Sequence, residues 1–478
     1  MTLFDTIAAI STPMGKGGVA IIRLSGQDAL TIADKVFTPK SRKALTTYPP
    51  RTAVYGDIFS PDDPSAPIDD GLCTLFPAPN SFTGEDTAEI ACHGGILVTQ
   101  TVLAACLAAG ARQAMPGEFT RRAYMNGKLR LSEAEALGNL LEASNREQLK
   151  LARSGMAGHL ASAMEAAYAR LLSVLANMEA GMDFPEEDLT EMPREDMIAE
   201  VSSIALDLQA LCNTYRTGHA IAEGIPTVIV GRPNVGKSAL YNALVGRDAA
   251  IVTDIAGTTR DVLSETVSLG RVTLRLSDTA GLRETADVVE QIGVERARAA
   301  LDQAELVLAL FDGSTPPTAE DIDLLKALTE QAQNGKNVLY ILTKQDLIQP
   351  EHIPFFTPEV TKFGLGYIGI STKSNKSGWD NQALSVTETL TAVVEQMFID
   401  GNLDTGESAI VFSARQYAAL LSTVSALKKA LEVLTLSLPY DICAEDLRAA
   451  LTALGDLSGH VIREEVISEI FSKFCIGK

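Results

Sequence analysis

The sequence predicts a multidomain protein of mixed class, with a compact α+β unit first, long helices next, and a parallel α/β domain inserted into the helical part. Three observations carry this. At 478 residues the chain exceeds the size at which one hydrophobic core keeps growing. From Leu131 its character changes to Ala, Leu, Glu and Met at helical spacing. From Thr227 short apolar runs alternate with helical stretches, as in sheets covered on both faces.

Residues 1–126 form the first expected unit. Their β-rich runs Val19–Leu24 and Ala88–Cys92 are broken by turn signals at Pro13 and in the Pro77–Pro79 loop. Residues 127–222 come next, where Leu137, Leu140 and Leu141, then Val201, Ile204, Leu208 and Leu211, mark amphipathic helices. Pro185 and Pro193 in DFPEEDLTEMPRED separate those helices. Residues 223–385 hold the α/β domain, with buried-type strands at Thr227–Val230, Val272–Leu276, Leu306–Phe311 and Val338–Leu342. Over 386–478 helical spacing returns, with Leu420, Leu421, Val424, Leu427, Leu431 and Leu434 on one expected face. Neither helical piece looks able to cover its own apolar face, so the two are expected to form one discontinuous domain.

Hydrophobic content of 46% with 21% charged residues is ordinary globular composition, and no apolar stretch approaches membrane-spanning length. The start, MTLFDTIAAISTPMGKGG, lacks a basic segment leading into an apolar run, so a cytoplasmic location is expected. Six cysteines and five histidines are scattered without a CxxC pair, which argues against a zinc or disulfide framework. A formal charge of −21 argues against a surface that grips nucleic acid broadly, so any RNA must be held by a local patch or a partner.

GRPNVGKS at Gly231–Ser238 fits the phosphate-loop pattern after a strand and before a helical stretch. Lys237 is expected to pair with the β and γ phosphates and Ser238 to place its hydroxyl on magnesium. Downstream come GTTRD (Gly257–Asp261), DTAG (Asp278–Gly281), TKQD (Thr343–Asp346) and STK (Ser371–Lys373), in the order expected of a Ras-like P-loop G domain. Thr259 can reach magnesium and the γ-phosphate, and Asp278 a magnesium-bound water. The Asp346 carboxylate can accept two N–H bonds from a guanine edge, which favours GTP over ATP. GTP contacts are thus expected at Asn234, Val235, Gly236, Lys237, Ser238 and Ala239; at Thr253, Asp254, Ile255, Ala256, Gly257, Thr258 and Thr259; at Asp278, Thr279, Ala280 and Gly281; and at Thr343, Lys344, Asp346, Ser371, Thr372 and Lys373. Two departures stand out, since TKQD replaces NKxD and STK replaces SAK, so the amide expected at position 343 is missing. Leu282 follows DTAG where Ras-like enzymes use a glutamine to orient the attacking water.

AAIVTDIAGTTRD, DTAGLRETADVVEQIG and the terminal CIGK resemble the MnmE (TrmE) tRNA-modification family, and the similarity extends over nearly the whole chain. The resemblance implies a potassium ion beside the phosphates, held by Asn234, Thr253, Ile255 and Thr258, with magnesium on Ser238 and Thr259. It implies that Glu290 positions the attacking water; Arg260 and Arg283 could serve as arginine fingers, but surface ion pairs explain them equally well. VAIIRLSG, PNSFTGEDTAEIACHGG and PGEFTRRAYMNGKLRLSEAEA resemble the same family and carry over a tetrahydrofolate site, for the 5-formyl or 5,10-methylene derivative, at Arg23, Glu89, Lys128 and Lys478. Cys475 reads either as a reactive thiol or as simple packing.

The function so implied is a potassium-dependent GTPase that helps attach an aminomethyl or carboxymethylaminomethyl group to carbon 5 of the tRNA wobble uridine, with hydrolysis opening and closing the G domains. The family implies a homodimer through residues 1–126 and an FAD-protein partner, MnmG (GidA), that holds most of the tRNA; no GxGxxG fingerprint is present in this chain. The rival expectation is a regulatory ribosome-assembly GTPase resembling Era or Der, which would carry a basic RNA-binding appendage.

Overall fold

A computed structural model of the chain describes residues 5–183, 192–248, 264–277, 301–347, 367–371, 386–399, 404–458, 467, 470–472, 474 and 477. The chain divides into two compact units, 1–138 with 155–204 and 425–478, and 139–154 with 205–424.

In the first unit seven strands form one sheet: β1 (Ile7–Ile10), β2 (Ala20–Ser25), β3 (Phe37–Pro39), β4 (Val54–Ile58), β5 (Asp69–Phe76), β6 (Thr87–Cys92) and β7 (Arg112–Gln113). They lie in the order β3-β4-β5-β6-β2-β1-β7, antiparallel throughout except that β7 runs parallel to β1. Alternation along β2 sends Ala20, Ile22 and Leu24 into a core shared with the helices Ala29–Val36 and Ile96–Ala108. The intervening Arg23 therefore projects from the opposite face. There Ile7, Ala9, Ala114 and Phe119 form a smaller core of their own.

The helical part of this unit rests on His159–Asp183 packed against Tyr440–Ser458. Met164, Leu171, Val174 and Met178 on the first helix and Cys443, Leu447, Ala450 and Leu454 on the second are buried at three- and four-residue spacing. The first helix ends at Asp183 and the next begins at Arg194, which brackets the two prolines.

The second unit holds a six-stranded sheet of β8 (Ile225–Val230), β9 (Ser264–Leu269), β10 (Val272–Ser277), β11 (Leu306–Asp312), β12 (Asn337–Thr343) and β13 (Tyr367–Gly369), in the order β13-β12-β11-β8-β10-β9. All are parallel except β9, which pairs with β10 as a hairpin. Every residue of β11 is buried, because Leu306, Leu308 and Leu310 face one apolar core and Val307, Ala309 and Phe311 another. This two-sided cover explains why the strand reads as an unbroken apolar run. The second core includes Leu325 and Leu328 of the helix Ala319–Gln333, whose start carries a Thr318–Asp321 capping box.

Two expected apolar faces need correction. Leu421 is 41% exposed and Leu141 48% exposed, whereas Leu420, Val424, Leu427 and Leu434 are buried. One residue is about 100° of helix rotation, which puts Leu421 at the margin of the stripe centred on Leu420, Val424 and Leu427; the helix Ala414–Thr435 buries Thr423 instead. Among the described residues no helix is long and apolar enough to cross a membrane.

Candidate nucleotide and one-carbon sites

The phosphate loop leaves β8 where its neighbour changes from β11 on one side to β10 on the other, the switch point at which parallel sheets leave a crevice beyond their strand ends. Gly231 takes φ +149°, and a Cβ there would stand 2.5 Å from the Leu310 carbonyl, so a side chain is excluded. Asn234 is left-handed at φ 64°, a conformation that asparagine tolerates better than most side chains. The loop then runs into the helix Lys237–Asp248, with Val235 buried beneath it and Asn234, Ser238 and Ala239 exposed.

Lys237 curls back over the loop, its Nζ donating to the carbonyls of Gly231 at 2.7 Å and Arg232 at 2.8 Å. Burial pushes its pKa down, because removing an ammonium from water disfavours the charged form. The loop is braced from outside by Arg232, whose Nε donates to the buried Asp321 carboxylate at 2.8 Å.

The base-recognition segment begins at the end of β12. The Thr343 hydroxyl lies 2.6 Å from the Val235 carbonyl, which ties this strand to the phosphate loop. Lys344, left-handed at φ 57°, places Nζ 2.5 Å from Asp312. Burial works against the Asp312 carboxylate, but Lys344 together with the Ser314 hydroxyl and amide outweighs it and holds the pKa below the ordinary range. Asp346 is exposed, and its Oδ1 accepts from the hydroxyl of buried Ser371 at 2.7 Å. An exposed carboxylate with one oxygen fixed is suited to a directional, two-point contact.

Asn234, Val235, Gly236, Lys237, Ser238 and Ala239 thus belong to one loop and helix start, and the structure ties that loop through Val235 to Thr343, Lys344, Asp346 and Ser371. Thr253, Asp254, Ile255, Ala256, Gly257, Thr258, Thr259, Arg260, Asp278, Thr279, Ala280, Gly281, Leu282, Arg283, Glu290, Thr372, Lys373, Cys475 and Lys478 lie outside the described residues. Sequence reasoning missed Asp312 and the Arg232–Asp321 brace. An acid closing an otherwise apolar strand, LVLALFD, is the signal that would have drawn notice to Asp312.

In the first unit Arg23 and Glu89 stand directly opposite each other on β2 and β6. They form an ion pair, with Nη2 2.8 Å and Nε 2.9 Å from Glu89 Oε1. The two were expected at one ligand site, and here they are joined to each other. The Arg23 guanidinium lies 6.0 Å from the Phe82 ring and 5.8 Å from the Phe119 ring, on the face away from the core helices. Lys128 donates to the Pro79 carbonyl at 3.1 Å, in the same 77–86 loop that carries Phe82. Below this loop Arg122, 5% exposed, meets Asp5, Glu85 and Glu118, a charged network the sequence did not reveal. Burial raises the Glu118 pKa, and hydrogen bonds from Arg112, the Met115 amide and Arg122 outweigh that rise and leave it lowered. The tail returns to the same sheet, where Ser11 Oγ donates to the Gly477 carbonyl at 3.2 Å. A partly exposed guanidinium beside two aromatic rings and paired to a carboxylate offers donors, acceptors and planar surface to a flat polar ligand.

A family profile described as GTP-binding protein TrmE N-terminus matches residues 6–128, and another described as MnmE helical domain matches residues 131–475. Three full-length relatives each carry the name tRNA modification GTPase MnmE. That of Bacillus licheniformis is 39% identical over 481 residues, covering 99% of this chain and 100% of the relative. That of Heliobacterium modesticaldum is 40% identical over 478 residues, covering 99% of each. That of Bacillus subtilis strain 168 is 39% identical over 476 residues, covering 99% of this chain and 100% of the relative. With matches at this identity from end to end, the chain belongs to the MnmE (TrmE) family of tRNA modification GTPases and is a GTP hydrolase.

Proposed function

We propose that the chain is a potassium-dependent GTPase that works with a flavoprotein partner on the wobble uridine of tRNA, in the cytoplasm where that substrate is found. The product is an aminomethyl or carboxymethylaminomethyl group at carbon 5, built from a tetrahydrofolate one-carbon unit. The observation that carries this is the combination, in one chain, of a phosphate loop tied to a base-recognition strand and an Arg23–Glu89 pair flanked by aromatic rings. A nucleotide switch alone leaves the second feature without a purpose. We assign the one-carbon site and dimerisation to residues 1–126, the discontinuous helical domain to 127–222 and 386–478, and the G domain to 223–385.

In this reading Lys237 leaves its two carbonyls for the phosphates, Ser238 and Thr259 hold magnesium, and Asn234, Thr253, Ile255 and Thr258 offer oxygens to potassium. Glu290 orients the water that Leu282 cannot. The hydrolysis cycle opens and closes the G domains of a homodimer. Flavin chemistry is left to the partner, MnmG, which also holds most of the tRNA, in keeping with the −21 charge of this chain. The test is mass analysis of tRNA nucleosides from cells lacking the protein. The expected result is loss of the wobble-uridine modification; full modification in such cells would refute the proposal and favour a ribosome-assembly switch.

The folate assignment has its own measurement. Arg23→Ala removes both the cation beside the rings and the partner of Glu89, so calorimetry with 5-formyl-tetrahydrofolate should show affinity falling about 10- to 100-fold, the size of one charge-assisted hydrogen bond. Unchanged affinity would remove Arg23 from the site, and no binding by the unaltered protein would remove the site altogether.

A further inference from the structure

Thr343 closes β12 at the position where the sequence offers a hydroxyl in place of the expected amide. Its residue is 3% exposed, and Oγ1 stands 2.6 Å from the Val235 carbonyl and 3.1 Å from the Phe311 carbonyl. A threonine hydroxyl carries a single proton, and a carbonyl can only accept. With two acceptors at hand and one proton to give, the hydroxyl is committed to the tether between β12 and the phosphate loop. The rest of the side chain offers only carbon: its Cβ and Cγ2 lie 3.8 Å from the place a Cβ on Gly236 would take.

We propose that Thr343 is a specificity-determining residue that keeps the phosphate loop tied to the base-recognition strand while giving the base no donor, so that this GTPase does not read the N7 edge of guanine. An amide at this position would carry two N–H protons, one for the Val235 carbonyl and one for a further acceptor. Guanine presents N7 as an acceptor on that edge, and the hydroxyl leaves it to water. The adjacent cation is turned elsewhere, with Lys344 Nζ 2.5 Å from Asp312. Base selection then falls on the Watson–Crick edge through Asp346. The inference rests on the assignment of Thr343–Asp346 to the base, and the test separates the two.

The experiment is competition binding of GDP, 7-deaza-GDP and ADP to the full chain and to its Thr343→Asn variant. In 7-deaza-GDP a C–H replaces N7, so only a protein that donates to N7 notices the change. The unaltered chain is expected to bind GDP and 7-deaza-GDP within about twofold of each other, and Thr343→Asn to acquire about a five- to tenfold preference for GDP, the size of one neutral hydrogen bond. ADP should be discriminated against by both. A fivefold or greater loss on 7-deaza substitution in the unaltered chain, with ADP still rejected, would overturn the proposal and leave the base assignment standing. ADP competing as well as GDP would overturn both. Should the variant fold poorly, the 7-deaza ratio of the unaltered chain decides alone.

Discussion

Asp346→Asn is expected to weaken GDP binding by about 1,000-fold while leaving the fold intact. In the proposed site the carboxylate would accept two N–H bonds from guanine, each charge-assisted and worth about 1.5–3 kcal/mol. The structure sharpens the expectation, because the hydroxyl of Ser371 donates to Asp346 Oδ1 at 2.7 Å. In the variant that hydroxyl keeps the amide oxygen on its own side, so the NH2 group is turned towards the base. Two guanine donors then meet a donor, and one interaction changes from attraction to repulsion. Xanthosine diphosphate has an oxygen where guanine has its amino group, so its affinity for the variant should rise as that of GDP falls. Titration with both nucleotides checks this, and because Asp346 is exposed its replacement should leave the fold intact. GDP affinity within a few-fold of the original would remove Asp346 from base recognition.

How far this site could be read from sequence depends on whether each contact is local. The phosphate loop was legible because its glycines, its lysine and the following helix lie within a dozen residues, and the buried strands because two-sided cover writes an unbroken apolar run such as Leu306–Phe311. The Arg23–Glu89 pair was not, since it depends on the pairing of β2 with β6 across 66 residues. The family resemblance names each residue separately, and nothing in either segment says that one neutralises the other. The link from Thr343 to the Val235 carbonyl spans 108 residues and is equally silent; TKQD announces only that an amide is missing. Where the sequence misled, as at Leu421, the fault was extending the apolar face to a neighbour about 100° round the helix, where only the packing partners decide burial.

That missing chemistry matters most for hydrolysis itself, where the replacement of Glu290 by alanine is expected to lower turnover about 100- to 1,000-fold with GDP affinity changed less than about twofold. Water is a poor nucleophile unless an acceptor aligns it with the γ-phosphate, and Leu282, the residue after DTAG, has no polar atom with which to do so. A carboxylate acting through a second water can supply that acceptor without touching the nucleotide, which is why binding should survive. Charge developing on the phosphates needs a separate counterweight, and the oxygen-bound cation proposed beside the loop would meet the need that other GTPases meet with an arginine. Asn234 is suited to one of those oxygens, being left-handed and exposed at the outer turn of the phosphate loop. Exchanging potassium for sodium should therefore slow single-turnover hydrolysis about tenfold or more, and the two perturbations should act independently, because one concerns the nucleophile and the other the leaving charge. Equal rates in the two salts would remove the monovalent cation, whereas weakened binding with undiminished turnover per bound GTP would remove Glu290. A Glu290→Ala variant whose residual rate no longer differs between potassium and sodium would show that the two groups do not act independently.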